Sequence, residues 1–419
     1  MFKILLCAFL GGSASWLYLQ QKCAESNYFR AGEHLITNVI RSHSLPSLYE
    51  ADIDSLAEGL ERNEFTSVDL TYIARINEVK SILHAVTEVN PDALAIASAL
   101  DKERSGGIVR GSLHGIPISI KDTIVTNGKL NNTVGSYALV GAKVPTDSTV
   151  AKKLREAGAI ILGKRILVNG ATSEYLSIPA TAGRLMADKP TGLYILTRIP
   201  PVARAAVRWQ LLCLGGETSG SIRDPANYNN IVGMKPTVGM VSRHLVIPIS
   251  QHMDTIGPMT KTGKDFAYVL QTIAGIDPFD NYTSAIPCQT DMDFVRACNL
   301  SALTDVRLGV PRNVISLMST NSTQSVIEEF EKSLDVLRSS GATIVNDTDF
   351  TAAEDYIDDE LLSGEIMGGD FVVNIAQYLN QLAYNPHSLT NLVDLRQWTQ
   401  SSPLEGYPRK PTELWDASL

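Results

Sequence analysis

Beyond residue 46 the apolar positions recur at two alternating spacings. In SLYEADIDSLAEGLERNE, the side chains of Ile53, Leu56 and Leu60 fall on one face at helical spacing. TSVDLTYIARINEVK opens on Thr66 and Ser67, two candidate caps, and continues with Leu70, Ile73 and Ile76 at the same period. ILHAVTEV reads as a strand, and PDALAIASALDKE as a helix with Pro91 near its first turn. GIPISIKDTI has the composition of a buried strand. DSTVAKKLREAGAIILGK gives a capped helix, a stop at Gly158 and a strand, and TQSVIEEFEKSLDVLRSSGATIV repeats that unit later. Helices alternating with short apolar strands predict a layered α/β fold. There is no internal repeat and no low-complexity linker.

Composition adds scale. The chain has 419 residues, 44% hydrophobic and 19% charged, enough for a large core in one big domain or two. Its net charge of −9 and lack of a basic block argue against a nucleic-acid partner. The start departs from this average. MFKILLCAFLGGSAS places Lys3 before an apolar run from Ile4 to Leu10, then small residues from Gly11 to Ser15. That order predicts a secretory signal over residues 1–22, with an uncleaved anchor in the secretory pathway as the alternative. The run is short of the roughly 20 residues of a spanning helix, so no other stable membrane association is expected. Residues 23–46 then form an extension and residues 47–419 the main domain. Sequons at Asn131, Asn281, Asn299, Asn321 and Asn346 agree with secretion and a glycoprotein. With Cys7 in the signal, Cys23, Cys213, Cys288 and Cys298 remain, as free thiols or in any of three pairings. No spacing suggests a metal site.

Two stretches carry candidate chemistry. Lys121 follows the apolar strand of GSLHGIPISIKDTI. At a strand end it either reaches solvent or, if buried, loses its charge easily enough to serve as a base. In GGETSGSIRDPAN, Gly220 and Ser221 either form an ordinary turn or bring successive N–H groups together around an oxyanion while Ser221 attacks a carbonyl. None of the seven histidines lies in that segment, so a lysine base would answer how the serine loses its proton. Glu217 and Arg223 either orient the loop or are surface charges. His114 reads as a packed histidine, His244 and His252 as loop residues, and Asp122 as orienting backbone near Lys121. The helix VIEEFEKSLDVL reads as a solvated amphipathic face.

Taken together, GSLHGIPISIKDTI, DSTVAKKLREAGAIILGK and LGGETSGSIRDPANYNNIVGMKPTVGMVSRHLVIPISQHMDTIGPMTKT resemble the amidase signature family, from about residue 48 to at least 275. The resemblance implies a mixed, many-stranded sheet between helical layers, no metal or organic cofactor, and a small-molecule amide as substrate. It implies a Ser–cis-Ser–Lys triad that cleaves carboxamides or esters through an acyl-enzyme. Ser221 would be the nucleophile, Lys121 the base, and the N–H groups of Thr218, Ser219, Gly220 and Ser221 the oxyanion hole.

The chain departs from the family pattern twice. The relay serine belongs to a Gly/Ser-rich loop before the nucleophile, but residues 183–212 hold no Gly-Ser-Ser run. There, IPPVARAAVRWQ at residues 199–210, read one base earlier, permits Asp-Pro-Ala-Gly-Ser-Ser-Ser-Gly-Ser-Ala-Val-Ala, the form of the missing loop. The last codon is fully determined, since the final base of Trp209 and the first two of Gln210 spell alanine. A shifted frame across residues 183–212 is therefore expected, with a divergent genuine loop as the alternative. Family members also continue past the position of Leu419, so the sheet is expected to lack part of its C-terminal portion. The expected function is an amidase-type hydrolase whose turnover is impaired. A catalytically dead binding protein is one alternative. A subunit that amidates misacylated tRNA is another, disfavoured by the acidic charge and the secretory-looking start.

Overall fold

The computed structural model describes residue 46 and residues 51–73, 88–165, 212–287 and 292–419, the last span apart from positions 318, 322, 347, 359 and 409. The chain divides into Met1–Pro46 and Ser47–Leu419, and the second unit holds every element described below. The expected signal over residues 1–22 and the 23–46 extension, save Pro46, lie outside the described residues. So do Cys23, Cys288 and the 183–212 segment apart from Leu212.

The first helices are α1 (Ile53–Glu61), α2 (Ser67–Ile73) and α3 (Ala93–Ser105), followed by α4 (Thr149–Glu156), α5 (Arg223–Asn229) and α6 (Gly263–Ile273). Later come α7 (Arg312–Leu317), α8 (Gln324–Ser339), α9 (Ala353–Asp358), α10 (Glu360–Asn380), α11 (Leu392–Ser401) and α12 (Glu413–Ser418). Their starts follow the side chains that can satisfy free N–H groups. Asp52 and Ser55 form a reciprocal capping box on α1. Thr66 and Asp69 do the same for α2 at 3.1 and 2.8 Å. The Ser148 hydroxyl accepts from Ala151 N at the head of α4. Pro91 lies in the turn just ahead of α3. The carboxylate of Asp265, on α6, accepts from Ile53 N at 2.8 Å, fastening the first helix to one 212 residues away in the chain.

Among the described residues the main sheet has six strands: β1 (Glu88–Val89), β2 (Pro117–Lys121), β3 (Ile160–Arg165), β4 (Leu212–Glu217), β5 (Val232–Gly233) and β6 (Thr255–Thr260). They lie in the order β1-β3-β2-β4-β6-β5. The centre, β3-β2-β4, is parallel, and β1, β6 and β5 join antiparallel. The sheet is therefore mixed, as expected. Every residue of β3 and β6, and all of β2 but Lys121, is buried. Successive side chains point to opposite faces, so both faces of these strands are covered. A separate parallel pair joins β7 (Arg307–Gly309) to β8 (Thr343–Val345).

The apolar core gathers Ile53, Leu56 and Leu60 from α1 with Ile118 and Ile120 from β2, Leu154 from α4 and Ile160 from β3. A second cluster packs Phe371, Ile375 and Tyr378 of α10 against Leu392 and Leu395 of α11 and Trp415 of α12. Cys213 is a buried free thiol in β4, and Cys298 an exposed one. Of the sequon asparagines, Asn131 is half-buried and bonded to Glu88, and the other four are exposed.

Gly158 ends α4 at φ +79°, and its carbonyl receives Gly115 N at 2.8 Å at the entrance to β2. A Cβ there would stand 2.9 Å from His114 Cα. Gly158→Ala is expected to cost more than about 1 kcal/mol, from the left-handed φ and the close approach together. Thermal unfolding followed by circular dichroism checks this through a lowered Tm.

Candidate active site

Lys121 is the last residue of β2 and Glu217 the last of β4. These strands run parallel, with Ser119 opposite Cys213 and Ile120 opposite Leu214. Both strands thus lead into loops at the carboxyl edge of the sheet, where open α/β folds place their ligand sites. Two segments 95 residues apart meet there, and Lys121 Nζ donates to Gly216 O at 2.8 Å. The residue keeps some exposed surface while its amine lies deep among protein atoms. Burial pushes the amine down to about 8, against the attraction of Asp254 and Glu217. Of the two readings of this lysine, the buried one describes the structure.

The loop after β4 is fixed from below by Glu217. This carboxylate is 1% exposed and accepts from Gly220 N at 2.9 Å, Ile222 N at 2.8 Å, Arg223 N at 3.0 Å and Arg223 Nε at 2.8 Å. Burial alone would raise its pKa, but the backbone N–H groups and Arg223 outweigh that and hold it below the usual carboxylate range. Glu217 is therefore the loop's anchor rather than a surface charge, while the Arg223 side chain is largely exposed. Gly220 turns the chain at φ +84°. Its N–H is the one of the four expected oxyanion donors that Glu217 engages, so those of Thr218, Ser219 and Ser221 are the three not bonded to it. Ser221 is half-buried at the end of this turn.

Sequence reasoning missed two neighbours. Asp254 stands just before β6 and is half-buried. Thr218 Oγ1 donates to it at 2.5 Å, and Ile249 N and Ser250 N at 2.7 and 3.0 Å. Burial pushes its pKa up. The signal was available as a lone aspartate between HM and the apolar strand TIGPMT. Lys164 lies inside β3, 1% exposed, and donates to Asn132 Oδ1 at 3.1 Å and to Ile124 O. Burial pushes its amine down to about 8, against the attraction of Asp122. Asp122 is itself buried and pushed up to about 6, against the pull of Lys164. Asp122 also donates its backbone N–H to Arg165 O at 2.8 Å.

The histidines take other places. His114 is packed, its Nδ1 accepting from Arg110 N and its Nε2 3.0 Å from Leu100 O. Burial lowers its pKa, in keeping with a neutral ring. His244 stacks on Phe279. His252 meets a carboxylate that local spacing did not reveal, Asp370 of α10, at 2.8 Å. Among the described residues no group of three His, Cys, Asp or Glu could hold a metal.

With this geometry in place, the relatives are informative. The family model described as Amidase matches residues 68–181 and 203–393, so the unmatched stretch, residues 182–202, overlaps the first part of the 183–212 segment and the match resumes within it. A protein of Arthroderma benhamiae named "Putative amidase" is 44% identical over 90% of this chain and 68% of its own length. A glutamyl-tRNA(Gln) amidotransferase subunit of Acinetobacter baylyi is 31% identical over 87% of this chain and 72% of its own. The structure of native peptide amidase from Stenotrophomonas maltophilia superposes with a TM-score of 0.76 at 31% identity, covering 89% of this chain and 76% of that one. The chain belongs to the amidase family. It spans about two thirds of the length of the curated relatives it matches.

Between pH 8 and 10.5 the unfolded chain binds more protons at Lys121 and Lys164 than the folded one does. Their contribution to stability therefore grows as pH rises through that window and is lost as it falls. Lys164→Met removes one share of this. The difference in urea midpoint between the native chain and the variant is expected to shift toward the native chain as pH rises from about 8 to about 10.

Proposed function

We propose that this chain carries an amidase-type serine hydrolase site whose own turnover is impaired. The supporting observation is the buried Lys121 amine, lowered to about 8, bonded to Gly216 O at the root of the 218–221 loop. In the reaction this site is built for, Ser221 Oγ bonds to the carbonyl carbon of a carboxamide. Its proton passes through a relay hydroxyl to neutral Lys121, while loop N–H groups hold the developing oxyanion. The C–N bond then breaks, the proton leaves on the departing amine, and water hydrolyses the acyl ester back to free Ser221.

The impairment follows from the segment that should supply the relay. Its sequence holds no Gly-Ser-Ser run, and the family model loses its match between residues 181 and 203. Without a relay hydroxyl the proton has no path from Ser221 to Lys121. The site then binds amides without turning them over, which is also how a catalytically dead binding protein would behave.

The purified chain is expected to release little or no ammonia from primary carboxamides, and Ser221→Ala to change nothing measurable. Robust release abolished by Ser221→Ala would overturn the impairment. Replacing residues 199–210 by Asp-Pro-Ala-Gly-Ser-Ser-Ser-Gly-Ser-Ala-Val-Ala is expected to raise turnover by at least about a hundredfold, the scale of a restored acid–base path. That gain should vanish with Lys121→Ala or Ser221→Ala. The restored enzyme's rate should climb with pH and level off above about 8, as Lys121 loses its proton.

A further inference from the structure

One motif of the sequence has no part in the hydrolase chemistry, and the fold sets it at an open cleft. Of the five sequons, Asn281-Tyr-Thr alone has an aromatic residue two places before its asparagine, Phe279. Phe279 and Asn281 line the same cleft of about 280 Å³, between the 243–254 loop, the 279–282 turn and helix α10.

The turn that carries them is held from within. Arg243 donates to the Asp280 carboxylate through Nε at 3.0 Å and Nη2 at 3.1 Å, and lies 4.3 Å over the Tyr282 ring. Thr283 N donates to Asp280 O at 3.0 Å, and the buried Thr283 Oγ1 accepts from Asp277 N at 2.7 Å. Both neighbours of Asn281 are thus fixed, while Asn281 itself is exposed. Phe279 is 72% exposed, with His244 stacked on one face of its ring at 4.7 Å between centroids. The other face is left to water.

A lone exposed ring needs no explanation. What singles this one out is its place beside a glycan acceptor. The first sugar of an N-linked glycan, a β-linked N-acetylglucosamine, carries its ring substituents equatorially, so its axial C–H bonds form an apolar face. That face gains by packing on an aromatic ring. Three other sequons engage their amides elsewhere. Asn131 is half-buried with Nδ2 bonded to Glu88 Oε1 at 3.0 Å, Asn299 Nδ2 donates to Arg296 O, and Asn346 Oδ1 accepts from Arg312.

We propose that Asn281 carries an N-linked glycan whose first sugar is seated on Phe279 at the mouth of the cleft. Asn281 Nδ2 bonds to the anomeric carbon of a lipid-pyrophosphate-linked oligosaccharide and loses a proton. The anomeric C–O bond breaks, and the lipid pyrophosphate leaves with the electron pair. The Thr283 hydroxyl that the acceptor motif requires is buried in the folded turn, so the transfer precedes closure of that turn. The assignment rests on the secretory start expected over residues 1–22 and is independent of Ser221.

Secretion of the full chain from a yeast host tests the assignment. Treatment with peptide N-glycosidase in heavy-oxygen water, followed by mass spectrometry, is expected to find Asn281 converted to labelled aspartate. Hydrogen exchange over residues 276–284 reads the seating. It is expected to run roughly two- to tenfold slower in the glycosylated chain than in Asn281→Gln. Phe279→Ala should bring the glycosylated chain to the Asn281→Gln rate and change little in the Asn281→Gln background. If Asn281→Gln fails to fold, the enzymatically deglycosylated chain supplies the reference. A bare Asn281 in the secreted chain, a chain retained in the cell without any glycan, or exchange that ignores the glycan or Phe279 would each overturn the proposal. None of these outcomes depends on amide turnover, so a failed ammonia assay leaves the test intact.

Discussion

The pairing of β2 with β4 is the constraint on which the site depends. The candidate residues stand at the ends of these strands, Lys121 at the last position of β2 and the 218–221 loop just beyond β4. Parallel pairing brings those ends to one edge, and the bond from Lys121 Nζ to Gly216 O fixes their separation. A slip of one residue would send Lys121 to the opposite face, because side chains alternate along a strand. The register is held by the buried apolar residues Ile118 and Ile120 on β2 and Leu212 and Leu214 on β4, which have nowhere else to go.

Around that pairing the site is organised by two carboxylates, the buried Glu217 and the half-buried Asp254, each met by backbone N–H groups. Glu217 gathers three amides and a guanidinium, and Asp254 two amides and the Thr218 hydroxyl. Burying a charge is costly unless its acceptor positions are filled, and both carboxylates meet that condition with donors from the segments they must hold in place. Their negative charge also acts on Lys121 and draws its pKa up. Burial outweighs that pull, leaving an amine that changes charge near neutral pH rather than one that is always protonated.

Much of this was legible in the sequence, and the reasons are local. Ile53, Leu56 and Leu60 announced α1 by their spacing, a cap and Gly158 marked the ends of α4, and Gly220 marked a turn, which the structure makes at a positive φ. Lys121 and Ser221 stood out because GIPISIKDTI and GGETSGSIRDPAN resembled a known family. The local pattern left open whether Lys121 and Glu217 were buried, since burial depends on what distant segments cover. Asp254, Lys164 and the His252–Asp370 pair escaped for the same reason. Asp370 lies on a helix 118 residues beyond His252, and no local spacing encodes that meeting.

The span between the two paired strands has a consequence for how the molecule assembles. Helix α4, its Gly158 turn and β3 are neighbours along the chain and can collapse together early. The strand contact that creates the site must close a loop of 95 residues, whose entropy has to be given up before any native contact rewards it. That closure cost falls on the candidate site rather than on the local α4–β3 unit.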